Sequence, residues 1–133
     1  FNNMEHLLMD LKAHNLQNRT VAIIEKNMDN AEFSLNDVIR ELCISRTNFF
    51  SKMKAITGQT PNDFILTIRL KKAAYLLKNE LFLSIAEVAD QTGFSSPRYF
   101  SRCFKEVYGI SPLFYRTGNK DEDVEETEEE TGG

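Results

Sequence analysis

One stretch of this chain is written twice, and the repeat limits the possible folds more than any other feature. Ser34-Leu35-Asn36-Asp37-Val38 opens the first copy, and Ser84-Ile85-Ala86-Glu87-Val88 opens the second fifty residues later. Each copy runs on through an aromatic and basic segment to a Gly-x-x-Pro stop, Gly58-Gln59-Thr60-Pro61 and Gly109-Ile110-Ser111-Pro112. Over this later part the offset is fifty-one, so the second copy carries one extra residue near Ser95. Two copies are too few for a solenoid, in which stacked units must cover one another's apolar faces. The repeat points instead to two equivalent modules working side by side.

Within each copy the apolar spacing is helical. Ser34 is placed to cap a helix, with Asp37 at the third helical position close to a capping-box arrangement. Leu35, Val38, Ile39 and Leu42 follow as an i, i+3, i+4, i+7 stripe. Helix propensity fades at Cys43-Ile44, Ser45 starts a second helix with Phe49, Met53 and Ile56 inward, and Gly58 ends it. The second copy repeats the scheme: Ser84 as cap, Ile85, Val88, Ala89 and Thr92 as stripe, Gly93 as turn. Ser95 or Ser96 then caps, with Pro97 suited to a first helical turn and Phe100, Phe104 and Val107 inward up to Gly109. Between the copies, Pro61 to Asn79 reads as a long helix. One apolar face holds Leu66, Leu70, Ala73, Ala74 and Leu77; Ile65, Ile68 and Leu76 form a second. Leu16 to Asn30 reads as a further helix, with Leu16, Ile23, Ile24 and Met28 on one face. Before it, Met4, Leu7, Leu8 and Leu11 form a short stripe, either a linker helix from an upstream domain or a partly ordered end. No segment alternates as a strand does, so the expected fold class is all-α.

The net charge of −4 conceals an asymmetry, because residues 121–133 hold eight acids and no bases. From Ser34 to Lys120 there are thirteen bases and seven acids, so the body is basic and suits a polyanion. The acidic run reads as a disordered, solubilising tail, or as a segment that folds back on the basic faces and weakens their binding. Cys43 and Cys103 lack CxxC neighbours and read as small apolar thiols in a reduced intracellular protein. His6 and His14 both lie near the start, and the rest of the chain has no histidine with which to build a catalytic constellation. The glycines are isolated turn residues rather than a phosphate loop. The expectation is therefore no enzyme, no cofactor and no metal. There is no signal-peptide pattern and no apolar run of membrane-spanning length, which suggests no membrane contact by this segment. Opening on Phe1 rather than Met, the chain is expected to be part of something longer.

A short helix, a tight turn and a second helix make a helix-turn-helix unit, whose second helix can enter a DNA major groove. With the apolar stripes turned inward, Arg46, Thr47, Phe50, Ser51 and Lys54 face outward in the first copy. Arg98, Ser101, Arg102 and Lys105 do so in the second. Neither set contains an acid. Arginine can pair with guanine edges, threonine or phenylalanine can touch a thymine methyl, and serine and lysine suit phosphates. Phe50 admits two readings, half-buried packing or base contact. The alternative for the whole chain is a helical protein-interaction module that docks a sensor or receiver domain through the two-faced central helix.

From about Leu16 to Thr117 the chain resembles the C-terminal DNA-binding domain of the AraC/XylS family of bacterial transcription regulators. The residues that carry the resemblance are Ile68-Arg69-Leu70-x-x-Ala73-x-x-Leu76-Leu77, Ile85-Ala86-Glu87-Val88-Ala89 and Gly93-Phe94. Tyr99-Phe100-Ser101-Arg102-x-Phe104-Lys105, Gly109, Pro112 and Tyr115-Arg116 complete them. The resemblance implies about seven helices arranged as two helix-turn-helix subdomains, about 16–58 and 84–117, joined by a connecting helix over 61–79. Residues 1–15 would be a linker or upstream remnant and 118–133 the acidic tail. The implied base-contact candidates are Arg46, Thr47, Phe50, Ser51, Arg98, Ser101 and Arg102; the phosphate-contact candidates are Ser45, Lys54, Ser96 and Lys105. Implied partners are double-stranded DNA, RNA polymerase, and an upstream sensing, receiver or dimerisation domain in the same polypeptide. The lead-in Ile24-Glu25-Lys26-Asn27-Met28-Asp29-Asn30 is similar to that of hybrid two-component regulators, where the domain follows a receiver. A cytoplasmic site of action follows, with membrane anchoring of the whole protein if it is a hybrid sensor. The first copy departs from the pattern: Cys43 stands where the second has Gly93, and Ser51 where it has Arg102. The second unit is accordingly expected to supply more of the charged contact energy.

Overall fold

The computed structural model describes residues 2–118 and, among these, seven helices and no strand. They are α1 (Asn2–Lys26), α2 (Leu35–Leu42), α3 (Arg46–Thr57), α4 (Pro61–Asn79), α5 (Ile85–Gln91), α6 (Pro97–Tyr108) and α7 (Pro112–Thr117). The acidic run, with both readings of it, lies outside the described residues. The chain forms two units. Unit 1 comprises the described residues up to Asn27 together with Phe33–Ile68, and unit 2 comprises Met28–Glu32 and the described residues from Arg69 onward.

In unit 1, α1 packs on α2 and α3. Ile24, Leu35, Val38, Leu42, Phe49, Met53 and Phe64 are buried. Thr20 is also fully buried, and its hydroxyl donates to the Leu16 carbonyl at 2.8 Å. The sequence pattern suggests a break near residue 15, yet α1 is one helix of 25 residues. No glycine or proline lies between Asn2 and Lys26, so the hydrogen-bond ladder continues although the apolar pattern changes. The helix also ends at Lys26 rather than Asn30, so Met28, expected on the face of Ile24, lies beyond α1 and belongs to unit 2. Met4, Leu7, Leu8 and Leu11 are all exposed.

The start of α2 is fixed as its residues suggest. The Ser34 backbone N–H donates to the Asp37 carboxylate at 2.8 Å and the Ser34 hydroxyl at 3.1 Å. The backbone hydrogen bond is the main reason that the Asp37 carboxyl lies below its ordinary pKa. At the other end Cys43 adopts φ 57°, left-handed, and its N–H reaches the carbonyls of Ile39 and Arg40. It is the one non-glycine residue with positive φ among those described. A side chain in this conformation costs about 1–2 kcal/mol, because Cβ crowds the following carbonyl oxygen. Unit 1 carries that cost at the same turn where unit 2 uses glycine.

Unit 2 is held by aromatic rings and by two arginines. Phe100 and Phe104 are fully buried. Phe94 lies 5.1 Å from Phe100, Phe100 5.7 Å from Phe104, and Tyr108 stacks on Phe104 at 4.4 Å. Tyr115 of α7 meets the edge of Phe104 at 5.3 Å, which fixes α7 on α6. Ser84 and Glu87 form a reciprocal cap on α5, with both bonds at 3.0 Å.

Arg69, only 6% exposed, donates to the carbonyls of Met28 at 2.9 Å, Thr92 at 2.8 Å and Asn30 at 3.2 Å. Thr92 closes the C-terminal end of α5, where the helix dipole favours a cation. Burial lowers the Arg69 pKa, but an arginine remains charged in proteins. Gly93, at φ 83°, lies against this group, and a Cβ added there would fall 1.2 Å from the Arg69 Nη1 atom. Arg116 plays a related part after α4. Its Nε donates to the Leu77 carbonyl at 2.9 Å, and its Nη1 to that of Leu83 at 2.6 Å. Neither arginine belongs to the outward basic surface.

Candidate nucleic-acid interface

Each unit contains a helix, a turn and a second helix: α2 and α3 in unit 1, α5 and α6 in unit 2. Both second helices start in the same way. The Ser45 hydroxyl accepts the Asn48 backbone N–H at 3.2 Å, and the Ser96 hydroxyl accepts that of Tyr99 at 3.1 Å. Each hydroxyl keeps its own proton for donation. A phosphate placed there would also meet first-turn backbone N–H groups, fewer on α6, where Pro97 carries none.

On α3, Phe49 and Met53 are buried, and Thr47, Ser51 and Lys54 are exposed on the opposite side, with Asn48 and Lys52 exposed at the flank. Arg46 is exposed, but its guanidinium is engaged. Nη1 donates to Asn36 Oδ1 of α2 at 2.7 Å, and Cζ lies 4.9 Å from the centre of the Phe50 ring. Phe50 itself is half-buried beneath this arginine.

On α6, Phe100, Cys103 and Phe104 are buried, and Arg98, Arg102 and Lys105 are exposed. Arg102 lies over the exposed Tyr99 ring at 5.4 Å. A hydrogen bond with Cys103 is the main cause that raises the Tyr99 pKa. Among the described residues the ion pair is Arg40 with Asp37 at 3.1 Å, so none of Arg46, Lys54, Arg98, Arg102 and Lys105 faces a neutralising carboxylate. Glu106 is the exposed acid of α6, one turn beyond Arg102.

Two side-chain placements expected from the repeat need correction. Ser101 is not on the outward face: it is 4% exposed. It occupies the same repeat position as Phe50, fifty-one residues earlier, and both lie at the flank where the second helix turns toward its own unit. Val107, expected inward, is 56% exposed, because Tyr108 rather than Val107 continues the buried ring stack of α6 toward α7. Ser101 is therefore not available as a base contact on this surface. Three residues of these surfaces escaped the sequence pattern: Asn36, Asn48 and Tyr99. Asn48 and Tyr99 are themselves repeat equivalents, fifty-one apart, a signal hidden by their different chemistry. Asn36 lies on the first helix of its unit, where periodicity alone gives it no role.

The comparisons agree with this geometry. A family model described as a helix-turn-helix domain matches residues 38–118. A protein named histidine kinase P4 from Formosa agariphila is 43% identical over 101 residues, covering 76% of this chain and 7% of its own length. A transcriptional regulator from Chromobacterium violaceum, described as having an AraC-type DNA-binding domain, superposes with a TM-score of 0.72 at 25% identity, covering 80% of this chain and 93% of that one. The DNA-binding domain of AdpA, solved in complex with a target DNA, gives a TM-score of 0.68 at 28% identity, covering 74% and 87%. The chain thus spans nearly all of solved domains but a small fraction of the kinase.

Proposed function

We propose that this chain, which belongs to the AraC/XylS helix-turn-helix family, reads double-stranded DNA by sequence with α3 and α6 in successive major grooves. The observation that carries this is the pair of exposed cationic faces, Arg46, Thr47, Ser51 and Lys54 on α3 and Arg98, Arg102 and Lys105 on α6, without a carboxylate partner among the described residues. Neighbouring major grooves on one side of a duplex are about 34 Å apart. The nineteen residues of α4 amount to roughly 28 Å of helix axis. On this reading one chain covers both grooves. Any shortfall would be met by bending the DNA, at a cost of order 1–6 kcal/mol.

The domain acts, on this reading, as the output end of a longer regulator that works in the cytoplasm, with RNA polymerase as a further partner. The 43% identity to a protein named histidine kinase supports a two-component context, in which the domain would follow a receiver. No helix among the described residues is long and apolar enough to cross a membrane.

Arg102 provides the test. It is exposed, central on α6 and supported by Tyr99. Arg102→Ala should weaken binding to a duplex selected from a random pool by about 1–3 kcal/mol and relax the preference at one base position. A loss equal for selected and unrelated duplexes would mark Arg102 as a backbone contact instead.

A further inference from the structure

We infer that Asn36 is a positioning residue for DNA reading, holding Arg46 in a fixed direction on the Phe50 ring while leaving its charge intact. The inference rests on the reading of α3 as a groove-reading helix.

Arg46 is the first residue of α3, and Asn36 is the second of α2. The hydrogen bond between them, 2.7 Å, ties one helix of the unit to the other at the starts of both. The Phe50 ring, 4.9 Å below Cζ, closes the other side. A free arginine side chain has many rotamers, and ordering it on binding weakens the complex. Two fixed points, one on the guanidinium edge and one on its face, remove most of that freedom before DNA arrives. This also gives Phe50 a role other than base contact, as the platform for the arginine.

The chemistry of the partner matters as much as the geometry. Asn36 offers a neutral amide oxygen. It accepts from one of the five guanidinium N–H donors and leaves the others, with the full positive charge, for a base edge. Arg40, six residues earlier on α2, shows the opposite arrangement: it pairs with the Asp37 carboxylate, which neutralises it. Asn36 and Asp37 are neighbours, so the unit has one orienting and one neutralising partner side by side.

The device is specific to unit 1. The repeat equivalent of Arg46 is Pro97 and that of Phe50 is the buried Ser101. Unit 2 supports Arg102 from Tyr99 on the same helix instead.

The test uses the 133-residue chain, a duplex that the wild type selects from a random pool, and an unrelated duplex of equal length, at fixed salt. Asn36→Ala should lower affinity for the selected duplex roughly three- to tenfold and leave the unrelated duplex unchanged. Asn36 is exposed near the start of a helix, so folding should survive, which thermal unfolding verifies. In an Arg46→Ala background the same change should have no effect. Asn36→Asp should leave the fold at least as stable but weaken binding to both duplexes, because the new carboxylate neutralises the arginine. The inference is overturned if Asn36→Ala leaves the selectivity ratio unchanged, if its effect persists without Arg46, or if Asn36→Asp binds like the wild type. If the wild type itself selects no sequence, the DNA-reading proposal fails, a result distinct from all of these.

Discussion

Gly93→Ala should destabilise unit 2 by at least about 3 kcal/mol, the largest effect on stability expected of a single methyl group in this chain. Two costs add. At φ 83° any side chain loses about 1–2 kcal/mol to the left-handed backbone. The new Cβ would also fall 1.2 Å from Arg69 Nη1 and 2.5 Å from the Met28 carbonyl oxygen. The guanidinium would have to leave, and its acceptors on Met28 and Thr92 would lose their donor in a buried position. Each such orphaned group costs about 1–3 kcal/mol. Urea denaturation measures the loss. A double-mutant cycle identifies its source: in an Arg69→Ala background the cost of Gly93→Ala should shrink, because the guanidinium is gone, leaving the backbone contribution and the crowding against the Met28 carbonyl. A cost under about 1 kcal/mol in the native background would show that Arg69 does not occupy the space beside Gly93.

The second large effect concerns salt. If the outward cations of α3 and α6 neutralise about six phosphates, log affinity should fall against log salt with a slope near −5. Raising salt from 50 to 200 mM would then weaken DNA binding about a thousandfold. Titration of a labelled duplex at several salt concentrations reads the slope directly. A slope near zero would favour the other reading of the sequence, an apolar docking module. Arg69 and Arg116 should not contribute to the slope, since their guanidinium groups are committed to backbone carbonyls within unit 2.

Much of this architecture was legible in the sequence because its boundaries are marked by local chemistry. The serine caps at Ser34, Ser45 and Ser84, the glycine stops and the bounds of α4 all coincide with the structure, which takes Ser96 of the two serines offered before α6. These signals act within a few residues, where propensity and capping dominate. The departure at Cys43, which stands where the second copy has Gly93, was legible in the repeat, and its φ of 57° shows that this position takes a left-handed backbone. What stayed hidden depends on residues far apart in the chain. The role of Arg69 could not be read from its neighbours, because its acceptors are backbone carbonyls 23 to 41 residues away and leave no side-chain signature. Exposure of Val107 goes with the ring contacts of Tyr108, which turn the inward face of α6 toward α7, and the burial of Ser101 depends on packing within unit 2 that the period of α6 does not reveal. The continuity of α1 was obscured because its apolar face changes direction along its length, although nothing in it breaks a helix. Among the site residues, the exposed positions came from period alone, and the support that Asn36 and Tyr99 give to arginines needed side-chain positions.

The central claim is that one chain engages two successive major grooves. Hydroxyl-radical footprinting of the 133-residue chain on a selected duplex tests it most directly. The account predicts two protected patches on one side of the duplex, with centres about 10 base pairs apart, both filling at one chain per duplex. A single protected patch at that stoichiometry, or a second that fills only when another chain is added, would contradict it.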